Sequence, residues 1–256
     1  MGIKIITRKF APRGGSFKEY DTFSGMCSVE YFHAAKEQFR IAPGNETVRA
    51  WPFETKECSL GSKQLIESIR DDYIELLAIC NISHDGSFVA NICSKGHSDT
   101  EDILVILTRD VDTDMWQYAA NNIKKLLDNT ISERNSALRI TVEIRNPMKM
   151  YRDSTIDVQP DPRAYEACKN INDISSQFYH LIPGFNSLSF EMRGPRKEDD
   201  DPRWPTAAVP TMMISVQDGT HYNWALVEEQ IRVVVGDIAT DLEVEVHLEI
   251  CAGDSK

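Results

Sequence analysis

Two aspartates recur in matching surroundings. Asp110 follows the apolar run Ile103–Leu107 and precedes Thr113 and Trp116, while Asp218 follows Met212–Val216 and precedes Thr220 and Trp224. Open α/β sheets tend to hold ligand-binding groups just past the ends of their central strands, where both acids stand. Two carboxylates facing each other there could share a proton. With His221 they would then supply general acid or base chemistry for a small neutral or cationic substrate. The plainer role is structural, because Asp ahead of Thr is common in loops and helix entries. His33, His180 and His247 have no nucleophile partner in the sequence, so no Ser/His or Cys/His site is expected.

The segment Arg193–Pro210 offers a different chemistry. It combines an acidic run, Glu198–Asp201, with Pro195, Pro202, Pro205 and Pro210, and it places Arg196, Arg203 and Trp204 together. A tryptophan on a proline-stiffened, charged loop can anchor a protein partner at little entropic cost. It can equally fold back and staple its own loop. The stretch His97–Asp102 gathers an imidazole with Asp99, Glu101 and Asp102, but it has neither calcium-loop spacing nor a second histidine, so it reads as a solvated loop. Glycine-rich phosphate loops, zinc-binding spacings and nucleophile elbows are missing; Arg13-Gly14-Gly15-Ser16 is a glycine turn beside a base. No metal site and no cofactor are expected.

Charge narrows the partners. The 256 residues carry 28 bases and 40 acids, a net charge of −12, and the five bases at Lys4, Arg8, Lys9, Arg13 and Lys18 leave the remaining chain still more acidic. Such a body repels phosphate backbones and anionic membrane surfaces, which argues against nucleic-acid and membrane roles. No apolar run approaches the roughly 20 residues of a spanning helix. Cys27, Cys58, Cys80, Cys93, Cys168 and Cys251 form no close pair, and the start of the chain lacks a long apolar signal core, so a cytoplasmic protein with free thiols is expected.

The elements that must position these groups follow from periodicity. Leu65, Ile66, Ile69, Tyr73, Leu76, Leu77 and Cys80 make a helical stripe after Ser62 as cap; Phe88, Ala90 and Ile92 alternate as a strand. Ile103–Leu107 is apolar on both faces, as a central strand would be. A helix over about 113–129 carries Trp116, Ala119, Ala120, Ile123 and Leu127, and Leu138, Ile140, Val142 and Ile144 alternate with polar residues. The same order returns with a helix through Tyr165, Cys168, Ile171 and Ile174 after Asp161-Pro162, then strands at Leu188–Met192 and Met212–Val216. A helix through Trp224, Val227 and Ile231 and a strand through Leu242, Val244, Val246, Leu248 and Ile250 complete it.

This pattern predicts an α+β fold of mixed layers. Two pseudo-repeated αββαβ units, each a three-stranded mixed sheet with two helices, occupy 62–148 and 161–251 and pack as one body, with 1–61 as an N-terminal extension carrying one helix. A spacing of 108 matches Asp110 with Asp218, Trp116 with Trp224 and Ile123 with Ile231; a shorter spacing matches Leu138 with Leu242 and Val142 with Val246. Such units resemble ferredoxin-like α+β folds in general, which host too many activities to imply one. The favoured functional expectation is a non-catalytic intracellular binding or regulatory protein that captures a protein partner through Arg196, Arg203 and Trp204; a homo-oligomer joined through exposed sheet edges is compatible with this reading and with the next. The alternative is an enzyme that uses Asp110, Asp218 and His221 in a cleft between the units.

Overall fold

A computed structural model of the chain describes residues 2–12, 20–44, 48, 53–94, 100–134, 137–150, 154–158, 161–194, 208–236 and 243–253. In chain order the elements are β1 (Ile3–Thr7), β2 (Cys27–Ser28), α1 (Val29–Ala34), β3 (Arg40–Ile41), β4 (Phe53–Lys56), α2 (Leu60–Ser68), α3 (Arg70–Ile79) and β5 (Gly86–Ser94). They continue with β6 (Thr100–Leu107), α4 (Trp116–Glu133), β7 (Ile140–Arg145), β8 (Ser154–Asp157), α5 (Pro162–Ile174), β9 (Phe185–Gly194), β10 (Val209–Gln217), β11 (His221–Tyr222), α6 (Trp224–Gly236) and β12 (Val244–Gly253). The class is α+β, with helices and mixed sheets. Among the described residues no helix is long and apolar enough to cross a membrane.

The chain forms two compact units. The central unit holds residues 13–15 and 37–150, and the terminal unit holds 1–12, 16–36 and 151–256. The first 61 residues therefore divide between the units: β1 and β2 enter the terminal unit, and β3 and β4 enter the central one.

The central unit is built on a five-stranded sheet of order β3-β7-β6-β5-β4. β5 is antiparallel to β6, and β7 is parallel to β6, as a loop connection and a helical crossover respectively require. One face buries Leu104, Ile106, Val142 and Ile144 against Leu65, Ile69, Tyr73 and Leu77 of the α2–α3 stripe and against Trp116, Ala120, Ile123 and Leu127 of α4. The opposite face is closed too, with Ala90, Ile92, Ile103 and Val105 buried, which accounts for the unbroken apolar run of β6. The first helix begins earlier than expected. Ser59 is the cap, accepting from the Ser62 N–H at 3.1 Å, while the Ser62 hydroxyl donates to Asp102 at 2.6 Å.

The terminal unit has a five-stranded sheet of order β1-β12-β10-β9-β8. Again the two strands joined without a helix, β9 and β10, are antiparallel, and β10 and β12 are parallel. Met212, Ile214, Val216, Val246, Leu248 and Ile250 pack against Ile171 of α5 and Trp224, Val227, Ile231 and Val235 of α6. Asp161 caps α5 by accepting from the N–H groups of Arg163 and Ala164, with Pro162 in the first turn. Tyr165, placed in the stripe by its spacing, is instead 45% exposed.

The main sheet of each unit thus has five strands where three were expected, and β11 and β2 pair in a separate two-stranded sheet. The added strands are short flanking pieces: β3 has two residues, β4 and β8 have four each, and β1 has five. β3 pairs with the outer edge of β7 and β1 with that of β12, so neither is an edge strand.

Candidate functional site

Asp110 closes a loop of the central unit. Its carboxylate accepts from the Ser83 N–H at 2.7 Å and from the Ser83 hydroxyl at 2.8 Å, and its own N–H donates to the Thr108 hydroxyl at 3.1 Å. Burial pushes the carboxyl up, but the Ser83 and Thr108 hydrogen bonds outweigh it and hold Asp110 below the ordinary carboxylate range. Asp218 and His221 belong to the terminal unit. Asp218 is exposed beside Gly219, whose φ of +71° turns the chain. His221 is exposed on β11, with Nδ1 2.9 Å from the Gly219 carbonyl. Arg196, Arg203, Trp204 and His97 lie outside the described residues, as does most of 94–102. Among the described residues, no group of three or more His, Cys, Asp or Glu side chains is placed to hold a metal ion.

The densest chemistry in the terminal unit lies elsewhere, on the face of β12 opposite the apolar core. Val246, Leu248 and Ile250 point into that core, so Glu245, His247, Glu249 and Cys251 share the other face. Glu245 remains in water and pairs with Lys4, an exposed contact of small energetic value. Glu249, four residues on, is only 3% exposed. Its Oε1 lies 2.6 Å from His33 Nε2, 3.1 Å from Arg193 Nη2 and 3.8 Å from Arg8 Nη2.

These partners come from three places: His33 from α1, Arg193 from the end of β9, and Arg8 from the chain just beyond β1. Burial alone would raise the Glu249 carboxyl; His33, Arg193 and Arg8 reverse this and hold it well below the carboxylate range. The His33 imidazole is lowered as well, but there burial is the cause and Glu249 opposes it. The arginines and the His33 contact thus favour the Glu249 carboxylate, while burial disfavours the charged form of His33. His247, half-buried nearby, is also pushed down by burial.

Beside this cluster Lys36 bonds Glu228 of α6, with Lys36 Nζ 4.2 Å above the centre of the Phe32 ring. Burial drives both groups toward neutrality, lowering the amine and raising the carboxyl. The central unit has a counterpart on β7. Glu143 is fully buried and accepts two bonds from Arg40, Nε to Oε1 at 2.8 Å and Nη2 to Oε2 at 3.0 Å, with Arg145 Nη1 at 3.8 Å.

No family model, curated protein or solved structure matches this chain. The geometry therefore carries the argument. Sequence reasoning assigned Glu143 and Glu249 to polar faces, because alternation cannot tell a solvated face from one sealed by salt bridges. The available signal was Ile3-Lys4-Ile5, a short alternating run able to pair outside β12. What the Glu249 cluster accomplishes is anchoring. Arg193 lies opposite Val209 in the β9–β10 ladder, at the root of the connection that contains Trp204, and its guanidinium is tied to β12.

Proposed function

We propose that this chain is a non-catalytic intracellular binding or regulatory protein that engages a protein partner through the connection between β9 and β10, using Arg196, Arg203 and Trp204. The supporting observation is the root of that connection. Arg193 and Val209 are paired in the ladder, and Arg193 is fully buried and bonded to Glu249, so the loop springs from a fixed base. The 14 residues 195–208 between Gly194 and Val209 exceed the 5 residues 95–99 between Ser94 and Thr100. Connections of that length are usually either functional or linker segments. The enzyme alternative has less support, since the Asp110 carboxyl is lowered rather than raised and is engaged as a loop cap. Replacing Trp204 by Ala should leave the circular dichroism spectrum and melting temperature unchanged and weaken binding of a purified, identified partner about tenfold or more. Equal affinity of both proteins would refute the assignment.

We also read the two units as copies of one ancestral unit. Matching Leu104 with Met212 across the spacing of 108, the parallel ladders set Val142 beside Leu104 and Leu248 beside Met212. On that register Glu143 corresponds to Glu249, two residues away from the match suggested by Val142 and Val246. A buried glutamate in the same slot of both sheets supports common ancestry better than shared hydrophobic pattern does.

A further inference from the structure

Phe23 is 99% exposed, an unusual position for a side chain with so much apolar surface. It stands at the tip of a loop that is already ordered. The Asp21 carboxylate accepts from the Phe23 N–H at 2.9 Å and from the Ser24 hydroxyl at 2.5 Å. Backbone bonds join Gly25 N–H to the Asp21 carbonyl at 2.8 Å and Asp21 N–H to the Met26 carbonyl at 2.9 Å. Gly25 has a φ of +73°, and a Cβ there would lie 2.7 Å from Asn223 Nδ2, the group that donates to the Ser24 carbonyl at 3.0 Å. Below the tip, β2 pairs with β11, and the buried Trp224 donates its indole N–H to the Cys27 carbonyl at 3.1 Å. All of this order holds the loop in shape while the Phe23 ring stays in solvent among the described residues.

Met26 at the foot of the same loop, Tyr222 on β11 opposite Cys27, and Leu226 in the first turn of α6 are 41%, 38% and 47% exposed. The charges on these turns are mainly acidic. Asp21 and Asp218 are exposed, Glu30 accepts from the Gly219 N–H, and Glu229 is paired with Arg232. We propose that the Asp21–Met26 tip is a preformed docking element that seats Phe23 in an apolar pocket, rimmed by basic side chains, on a partner protein. Preorganisation removes the ordering cost that a flexible loop would incur on binding. The acidic surroundings and the net charge of −12 select a basic rim and disfavour an anionic bilayer, which would repel the same surface. This surface is separate from the Trp204 connection, and either assignment can fail without the other.

The test is selection of a displayed random-peptide library on the full chain, followed by titration of the enriched peptides against wild type, Phe23→Ala and Trp204→Ala. Phe23 is outside the core, so Phe23→Ala should keep the wild-type circular dichroism spectrum. The expected peptides combine aliphatic or aromatic residues with Lys or Arg. They bind Phe23→Ala about tenfold or more weakly, bind Trp204→Ala as they bind wild type, and lose affinity as salt rises. Asp21→Ala, which unties the loop but keeps the ring, should weaken them as well. The proposal is overturned if no selected peptide distinguishes Phe23→Ala, or if the enriched peptides are acidic. It is likewise overturned if Phe23 proves to drive adsorption to phosphatidylcholine vesicles or self-association of the chain in sedimentation.

Discussion

Glu143 on β7 and Glu249 on β12 are both removed from water, at 0% and 3% exposure, and both lie on the strand reached through a crossover helix. Their neutralisation differs. Glu143 is gripped by the two-pronged guanidinium of Arg40, with Arg145 behind it, and an arginine keeps its charge at any pH a protein survives. Glu249 shares one oxygen among Arg193, Arg8 and the imidazole of His33. One unit has closed its buried acid with permanent charges; the other has included an imidazole, whose ordinary pKa of 6.5 is lowered here by burial. Two sheets that share the pairing of their three central strands can thus each carry a buried acid and differ in the groups that neutralise it.

The comparison breaks most severely at Arg40. Arg40→Met removes the bidentate partner and leaves Glu143 buried beside Arg145 at 3.8 Å. Removing one member of a buried pair costs about 3–5 kcal/mol. Guanidinium denaturation should show that loss, and hydrogen exchange should place it in the β7 amides. Arg40→Met combined with Glu143→Met should recover most of it. A penalty under about 1 kcal/mol for the single change would mean that Arg145 alone suffices, since an exposed pair is worth about that much.

Acid should separate the units next. His33 has a lowered pKa, mainly through burial, from an ordinary value of 6.5. Below that value the unfolded chain binds a proton that the folded one resists, so stability present above pH 6.5 is lost as pH falls through the folded pKa. The slope for one proton is at most about 1.4 kcal/mol per pH unit. Glu249 adds to the loss only below its ordinary 4.5, where the unfolded carboxyl takes up a proton that the folded carboxylate refuses. Hydrogen exchange, corrected for intrinsic rates, should show β12 amides losing protection as pH falls below 6.5 while β7 amides hold. His33→Gln should flatten that difference. A pH response equal in both strands would remove the contrast.

How far the sequence reached follows from the same physics. The double-faced run of β6, the Trp116–Leu127 stripe of α4 and the Asp161-Pro162 entry to α5 were legible because burial there uses apolar side chains, whose spacing is visible. The flanking strands were not, because a pairing as short as Arg40–Ile41 with Arg145 and Ile144 leaves no periodic trace. The buried acids were hidden for a related reason: Glu143 and Glu249 occupy alternate polar positions, and only partners distant in sequence, 103 residues for Arg40 and 216 for His33, decide that they are inside. Asp110 was visible as an acid just past β6, but its bonds to Ser83 depend on a partner 27 residues earlier.

The smallest effect sharpens the comparison within the terminal unit. Lys36 and Glu228 are bonded and buried, but a lysine can surrender its proton and Glu228 is already pushed toward the neutral acid by burial. Lys36→Met keeps apolar contact with Phe32 and leaves behind a carboxyl that can protonate, with Arg8 and Arg232 opposing that change. Its cost should therefore be about 1–2 kcal/mol, well below that of Arg40→Met. The double change Lys36→Met with Glu228→Met should be close to neutral, since well-packed apolar replacements of buried pairs often are. Denaturation of the two variants beside Arg40→Met decides the matter. If Lys36→Met costs as much as Arg40→Met, the Glu228 carboxyl does not neutralise, and the distinction between fixed and adjustable buried charge does not extend beyond His33.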